Sequence, residues 1–173
     1  MADIDQQPSE NLISTKAIEK LQDIAKDART SMLHTNLNAF PNSCRPMSLQ
    51  TADEEGNLWY LSSSESSQNE EIAKDSRVQV TFQNNSNYEY LVVHGHAEIL
   101  KDKATIDKYW TEFANAWFDG KEDPRVTVIK VKPEGGYYWD TQNGKIIASM
   151  KMLFSAITGA DIDDGGVSGK LKL

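Results

Sequence analysis

The chain has 173 residues and a mass of 19.4 kDa, which suits one domain with a substantial core. Acidic residues outnumber basic ones by 26 to 18, and the resulting net charge of −8 disfavours binding to a nucleic-acid backbone. No stretch reaches the roughly 20 consecutive apolar residues that cross a bilayer, so we expect neither a nucleic-acid nor a membrane partner.

The start of the chain and its cysteine content indicate the compartment. Residues 1–11 are polar and carry no basic-then-apolar signal pattern. Cys44 is the single cysteine and cannot form an internal disulfide, which agrees with a reducing environment. We therefore expect a cytoplasmic protein whose residues 1–13 form a flexible N-terminal segment.

The first regular elements are a helix and a strand. Residues 15–28 predict an amphipathic helix, because apolar side chains recur at helical spacing at Ile18, Leu21, Ile24 and Ala28. Residues 32–35 predict a short strand, and Pro41 lies in the loop that follows it.

A β-hairpin comes next. Residues 46–51 alternate apolar and polar side chains, as a half-buried strand does. Residues 53–57 are rich in acidic residues and glycine and predict a turn, so residues 58–61 are expected to return as the partner strand.

A serine-rich connection, residues 62–67, leads into a short helix. Ser67 and Glu70 have the spacing of a capping box, in which the two side chains satisfy free backbone N–H groups at a helix start. The spacing predicts a helix over residues 68–74.

Two further strands precede the strongest helical pattern. Residues 78–82 predict a strand, residues 84–87 a turn, and residues 88–100 a long strand in which Gly95 marks a bulge or a close backbone approach. A helix is then predicted between residues 102 and 120. Its apolar stripe is expected to lie in the core: Ile106, Tyr109, Trp110, Phe113, Ala114 and Trp117.

The last predicted elements complete the sheet. Residues 126–131 and 137–139 predict strands on either side of a turn at residues 133–136. An amphipathic helix is expected over residues 145–157, followed by a flexible tail at residues 159–173.

These elements predict a mainly β (α+β) fold. About six or seven strands joined mainly by hairpins form an antiparallel sheet, and closing that sheet into a split β-barrel with flanking helices removes its exposed edges. A single domain is expected over residues 14–158.

Several short segments between residues 30 and 140 carry a family resemblance. They are Met32-Leu33-His34-Thr35, Cys44-Arg45-Pro46-Met47, Gly56-Asn57-Leu58-Trp59-Tyr60-Leu61, Gly95-His96-Ala97-Glu98, Trp117-Phe118 with Asp123-Pro124, and Tyr138-Trp139-Asp140. In this order they resemble the pyridoxamine 5′-phosphate oxidase-like FMN-binding split β-barrel superfamily, in its general-stress-protein branch.

The resemblance implies a homodimer with FMN, or alternatively FAD, in a cleft between the subunits. It places Arg45 near the phosphate or ribityl chain, the serine-rich connection at the phosphate, and Trp139 near the ring, contributed by the other subunit. The cofactor-binding residues that it implies are Arg45, Pro46, Met47, Ser48, Tyr60, Leu61, Ser62, Ser63, Ser67, Gln68 and Trp139. It identifies no catalytic residue.

The chemistry of these residues agrees with that assignment, with one departure. A guanidinium group such as that of Arg45, and a helix start such as that near Ser67, both suit a phosphate. Gln68 stands where the family usually carries a phosphate-binding lysine. Its amide donates a hydrogen bond without charge, and Glu65 nearby adds an unfavourable charge.

Simpler interpretations stay open for several residues. Arg45 can serve only in an ion pair, the serine-rich connection can be a solvated loop, and Trp139 can be core or interface packing. His94 and His96 lie two apart on a strand, a spacing that suits metal ligands. No third ligand is evident, so we predict no metal site.

Three functions are compatible with this sequence. The first is a flavin-dependent oxidoreductase that transfers hydride to or from a small substrate, with the chemistry carried by the flavin. The second is a non-catalytic protein that stores or senses flavin. The third is a split barrel that binds haem through His94 or His96.

Overall fold

The structure is a computed structural model that describes residues 12–141 and 166–173. Residues 1–11 and the helix predicted at residues 145–157 lie outside this part of the chain. Within the described residues, no helix has the length and apolar character needed to cross a membrane.

The described chain forms strands, α-helices and one 3₁₀ helix. The strands are β1 (Leu12–Ile13), β2 (Thr30–Thr35), β3 (Ser43–Ala52), β4 (Leu58–Ser63), β5 (Arg77–Asn84), β6 (Glu89–Leu100), β7 (Val126–Thr141) and β8 (Gly166–Lys172). The helices are α1 (Thr15–Ala28), α2 (Ser67–Lys74), α3 (Lys103–Tyr109) and the 3₁₀ helix (Glu112–Ala116).

Six antiparallel strands close into a barrel, as predicted. Their order is β7-β4-β3-β2-β5-β6, and β6 pairs with β7 to complete the circle. Strand β8 extends the sheet antiparallel to β7, and β1 pairs parallel to β8. The expectation of a mainly antiparallel split barrel with flanking helices is therefore confirmed.

The barrel interior is the main hydrophobic core. Alternating side chains of the strands fill it, and the largest fully buried ones include Leu33, Tyr60, Phe82, Leu91 and Ile129. Helix α1 has the predicted bounds and covers this core with a buried face that contains Leu21 and Ile24. The apolar periodicity of that segment was therefore a sufficient guide to its structure.

The turn predicted at residues 133–136 is wrong, because β7 runs without interruption through it. The ladder with β6 shifts register between His94 and Gly95, which opposes Pro133. A proline without an N–H group is tolerated at such a bulge. The predicted close approach at Gly95 is confirmed, since a Cβ atom there would overlap the carbonyl oxygen of Lys132.

The single long helix predicted between residues 102 and 120 is also wrong. Helix α3 ends at Tyr109, the Trp110 backbone is extended, and the chain resumes as the 3₁₀ helix. Phe113 and Trp117 were expected in the core but are 65% and 61% exposed. After the break Phe113 and Trp117 lie outside the core, whereas Ala114 stays buried.

Two smaller predictions need correction. The N-cap of α2 is Ser66, whose hydroxyl accepts from the Asn69 N–H at 3.2 Å, so the cap is one residue earlier than the predicted Ser67. The expected flexible tail contains β8, in which the buried side chains of Val167 and Leu171 join the main core. Sheet pairing with β7 orders this part of the chain.

Candidate functional site

A cavity of about 480 Å³ opens beside the barrel, between β3, β4, the start of α2 and the segment around the 3₁₀ helix. Pockets for small ligands and cofactors are typically about 300–1,000 Å³. Most of the predicted cofactor-binding residues line it, namely Arg45, Pro46, Met47, Ser48, Leu61, Ser62, Ser63 and Gln68.

Three predicted residues do not line the cavity. Tyr60 lies in the barrel core, where its hydroxyl hydrogen-bonds the Ser31 hydroxyl at 3.0 Å and burial raises its pKa well above the usual value. Ser67 lies beside the cavity and contacts Arg45. Trp139 lies near the C-terminal end of β7, where it is the β-sheet partner of Tyr90 and its ring stacks on that of Tyr137.

Arg45 is held in place by α2. Both terminal guanidinium nitrogens donate to the Ser67 hydroxyl at 3.3 Å, and Nη2 lies 3.7 Å from the Glu71 carboxylate. Glu71 accepts hydrogen bonds from Thr35 at 2.5 Å and Ser43 at 2.7 Å, and these bonds hold the pKa of its carboxyl below the usual value. The carboxylate is therefore ionised at neutral pH and balances the Arg45 charge.

The start of α2 is fixed to the barrel by a buried polar network. The Asn69 amide donates to the Thr127 hydroxyl at 2.9 Å and accepts from the Ser62 hydroxyl at 2.8 Å. Thr127 in turn donates to the Ser62 carbonyl at 3.0 Å. Because all three side chains are buried, the network sets how α2 approaches the cavity.

Gln68 carries the clearest sign of a ligand. Its side chain is 1% exposed and lines the cavity, and its Nε2 atom has no hydrogen-bond partner in the described part of the chain. An unpartnered buried donor costs about 1–3 kcal/mol. That cost is relieved if a cavity ligand offers an acceptor to Nε2.

An aromatic wall closes the opposite side. Phe113, Trp117 and Phe118 line the cavity, and the first two rings pack edge to face with centroids 5.0 Å apart. Sequence reasoning assigned this segment to a helix in the core and missed its role. The apolar stripe was the available signal, but such a stripe does not distinguish a core face from a ligand-facing one.

A second guanidinium group, that of Arg125, also lines the cavity and was not predicted. It donates from Nε and Nη2 to the two Asp123 carboxylate oxygens at 3.0 and 2.6 Å, and Asp119 lies 3.7 Å away. Hydrogen bonds from Arg125 hold the Asp123 pKa well below its usual value. Like Arg45, this cation is already paired with a carboxylate.

The cavity therefore combines a donor-rich end with an apolar, aromatic side. Such an arrangement suits a ligand that has a flat ring at one end and a polar chain at the other. Within the described ranges, no group of three or more His, Cys, Asp or Glu side chains could hold a metal ion. His94 and His96 are exposed on the outer face of β6, outside the cavity lining.

A closed antiparallel barrel with a lateral cleft defines the split-barrel class of cofactor-binding domains. Residues 16–163 match the family model described as pyridoxamine 5′-phosphate oxidase like, and the chain belongs to that family. Within it, the chain belongs to the general-stress branch.

Three relatives illustrate this similarity. Protein bli-3 of Neurospora crassa is 27% identical over 136 residues, which cover 73% of this chain and 60% of that protein, so the chain spans less than two thirds of this relative. The crystal structure of General Stress Protein 26 from Bacillus anthracis has a TM-score of 0.62 at 26% identity, covering 70% of this chain and 92% of that one. That of the general stress FMN/FAD binding protein from Xanthomonas citri has a TM-score of 0.64 at 22% identity, covering 73% and 90%.

Proposed function

We propose that this protein is a flavin-binding protein of the general-stress type, with FMN in the cavity beside α2. The observation that carries the proposal is the cavity itself. Aromatic side chains line one side of it, and at its polar end the Gln68 Nε2 atom has no acceptor among the described residues. The description of the Xanthomonas citri protein as FMN/FAD binding supports the same ligand class. FAD is the alternative flavin.

The residues present fit a flavin. Met47 on β3 and the rings of Trp117 and Phe118 offer apolar surfaces to the isoalloxazine ring. Arg45 and Gln68 offer hydrogen-bond donors to the ribityl chain and its phosphate at the other end. When bound, FMN supplies hydride-accepting and hydride-donating chemistry, which side chains alone do not provide.

We propose that the activity is an oxidoreductase reaction that transfers hydride between the flavin and a small substrate. In this reaction the chain binds and orients the flavin, and the aromatic wall excludes water from its ring. Mixing the flavin-loaded protein with reduced nicotinamide and a set of small electron acceptors tests for turnover. Consumption of the reduced nicotinamide above the rate for free FMN is the expected result.

A second candidate, a non-catalytic protein that stores or senses flavin, is favoured by the cavity lining. Among the described residues that line the cavity there is no His, Cys, Lys, Asp, Glu or Tyr. No lining side chain therefore titrates near neutral pH to act as a general acid or base. Tight flavin binding with no turnover above free FMN would support this candidate over the oxidoreductase.

We also propose a cytoplasmic homodimer with the cofactor cleft at the subunit interface. Phe113 and Trp117 pack on each other at the cavity rim and are mostly exposed, which is unusual for two neighbouring large aromatic rings. A second copy that covers them would remove apolar surface from water and close the cleft. Light scattering should give the dimer mass for the wild type and the monomer mass for the variant Phe113→Ser with Trp117→Ser.

Flavin titration tests the binding proposal directly. We expect quenching of flavin fluorescence by the wild-type protein and a loss of affinity of about tenfold in Trp117→Ala, since ring packing adds about 0.5–1.5 kcal/mol beyond the buried area. Tyr88→Ala is the matched control, because this exposed aromatic residue lies in the turn before β6 and not in the cavity lining. Absence of quenching by FMN and by FAD would refute the proposal.

A further inference from the structure

The polar end of the cavity contains two cations, and the structure pairs both with carboxylates. Arg45 is balanced by Glu71, whose two hydrogen bonds fix it in the ionised form beside the guanidinium group. Arg125 is held by both oxygens of Asp123. Neither guanidinium group therefore presents an uncompensated charge to a ligand.

Helix α2 adds no cation to this end. Gln68 contributes a neutral amide, whose Nε2 atom has no hydrogen-bond partner among the described residues. A phosphate dianion that enters would have to compete with Glu71 for Arg45. A neutral hydroxyl group needs no such exchange of partners, since it accepts directly from the unpartnered Gln68 Nε2.

From this arrangement we infer that the site recognises the flavin side chain by neutral hydrogen bonds, and that it binds riboflavin almost as well as FMN. The inference rests on the proposed flavin-binding function and specifies its ligand class: flavins with or without a terminal phosphate. In this inference Gln68 holds the ribityl chain, because its Nε2 atom donates to a ribityl oxygen that riboflavin and FMN share.

The test is a paired titration of the wild-type protein with riboflavin and with FMN at one fixed ionic strength, read by quenching of flavin fluorescence. We expect the two dissociation constants to differ by less than about tenfold. Gln68→Met, which removes the donor at similar volume, should weaken both flavins by the same factor. Gln68→Lys, which adds a charge, should tighten FMN by about tenfold and leave riboflavin unchanged.

A matched pair of variants tests the role of charge compensation. Glu71→Gln frees the Arg45 charge and should raise the preference for FMN over riboflavin at least about threefold. Glu70→Gln makes the same change on the exposed face of the same helix and should leave the preference unchanged. Equal effects of the two variants would show that the loss of one negative charge, and not the release of Arg45 from Glu71, sets the preference for FMN. That result would overturn the inference.

The outcomes separate this inference from the function on which it rests. If the wild-type protein prefers FMN by tenfold or more, the inference is wrong while flavin binding stands. If neither flavin binds the wild type, the proposed function fails and the inference fails with it. Circular dichroism of each variant establishes that it folds, and the wild-type comparison alone decides the inference if Gln68→Met does not fold.

Discussion

Replacing Asn69 by alanine should loosen the attachment of α2 to the barrel. The Asn69 side chain is buried and joins the helix to β4 and β7 through Ser62 and Thr127, at 2.8 and 2.9 Å. The substitution removes both bonds and leaves the Thr127 hydroxyl without that donor. It keeps the backbone pairing of β4 with β7 and the bond that the Thr127 hydroxyl donates to the Ser62 carbonyl.

The magnitude follows from the two lost hydrogen bonds. Each buried bond contributes about 0.5–1.5 kcal/mol, and a buried group left without its partner costs about 1–3 kcal/mol. We therefore expect Asn69→Ala to lower the free energy of unfolding by about 2–4 kcal/mol in urea denaturation followed by tryptophan fluorescence. Asn115→Ala is the matched control, since Asn115 is exposed and its side chain donates to Glu112 at 2.6 Å. It should change stability by no more than about 0.5 kcal/mol.

A double-mutant cycle separates the network from simple loss of volume. Ser62→Ala and Asn69→Ala remove the same hydrogen bond, so their effects on the free energy of unfolding should not add. A cost for Asn69→Ala below about 0.5 kcal/mol, or full additivity with Ser62→Ala, would refute the reasoning that this network holds α2.

Two further predictions concern the pairing of β6 with β7, which closes the barrel, and the stability of the protein in acid. Gly95→Ala should destabilise the protein more than Gly135→Ala in urea denaturation, because a Cβ at Gly95 overlaps the backbone of β7, whereas one at Gly135 lies 3.1 Å from its nearest neighbour. The Glu71 pKa is lowered from 4.5 by hydrogen bonds from Thr35 and Ser43, so its contribution is complete above pH 4.5 and disappears as the pH falls through the folded-state pKa. The urea midpoint of Glu71→Gln should therefore fall less steeply than that of the wild type below pH 4.5; parallel curves would contradict this assignment.

Local sequence patterns correctly predicted the elements that pack against a single hydrophobic core. Helix α1 has an apolar face that meets the barrel along its whole length, so its periodicity gave its bounds. The β3–β4 hairpin was equally accessible, since side chains alternate along β3 and Gly56 takes the positive φ of the turn at +82°. The register shift after Leu49 was not visible in the pattern.

The segment after α3 was mispredicted because one apolar pattern served two environments. Ile106 and Tyr109 pack into a small core under β4 and β7, while Phe113 and Trp117 face the cavity. Helical periodicity reports only that side chains share a face, and does not report what covers that face. The turn predicted at residues 133–136 failed for a related reason, since pairing with β6 overrode a local turn signal.

About half of the residues that line the cavity could be predicted from sequence motifs, and the rest are brought there only by the topology of the barrel. The side of β3 and β4 was predicted because these strands are neighbours in sequence and carry the family motif. Arg125 and the aromatic wall come from residues more than 40 positions further on, and only closure of the barrel brings them to the same cleft. No local property of Arg125 distinguishes it from a surface ion-pair residue.

The position of the α2 cap determines how Arg45 is held beside the cavity. With Ser66 as the N-cap, its hydroxyl accepts from the Asn69 N–H, and the Ser67 hydroxyl is left to accept from Arg45. Further along the helix, Gln68 and Asn69 are buried, Glu70 is exposed, and Glu71 lies 3.7 Å from Arg45. A cap at Ser67 would have used its hydroxyl on the helix backbone instead of on Arg45. The single-residue offset thus leaves the Ser67 hydroxyl to hold Arg45 beside Glu71, in the charge balance on which ligand selectivity is proposed to depend.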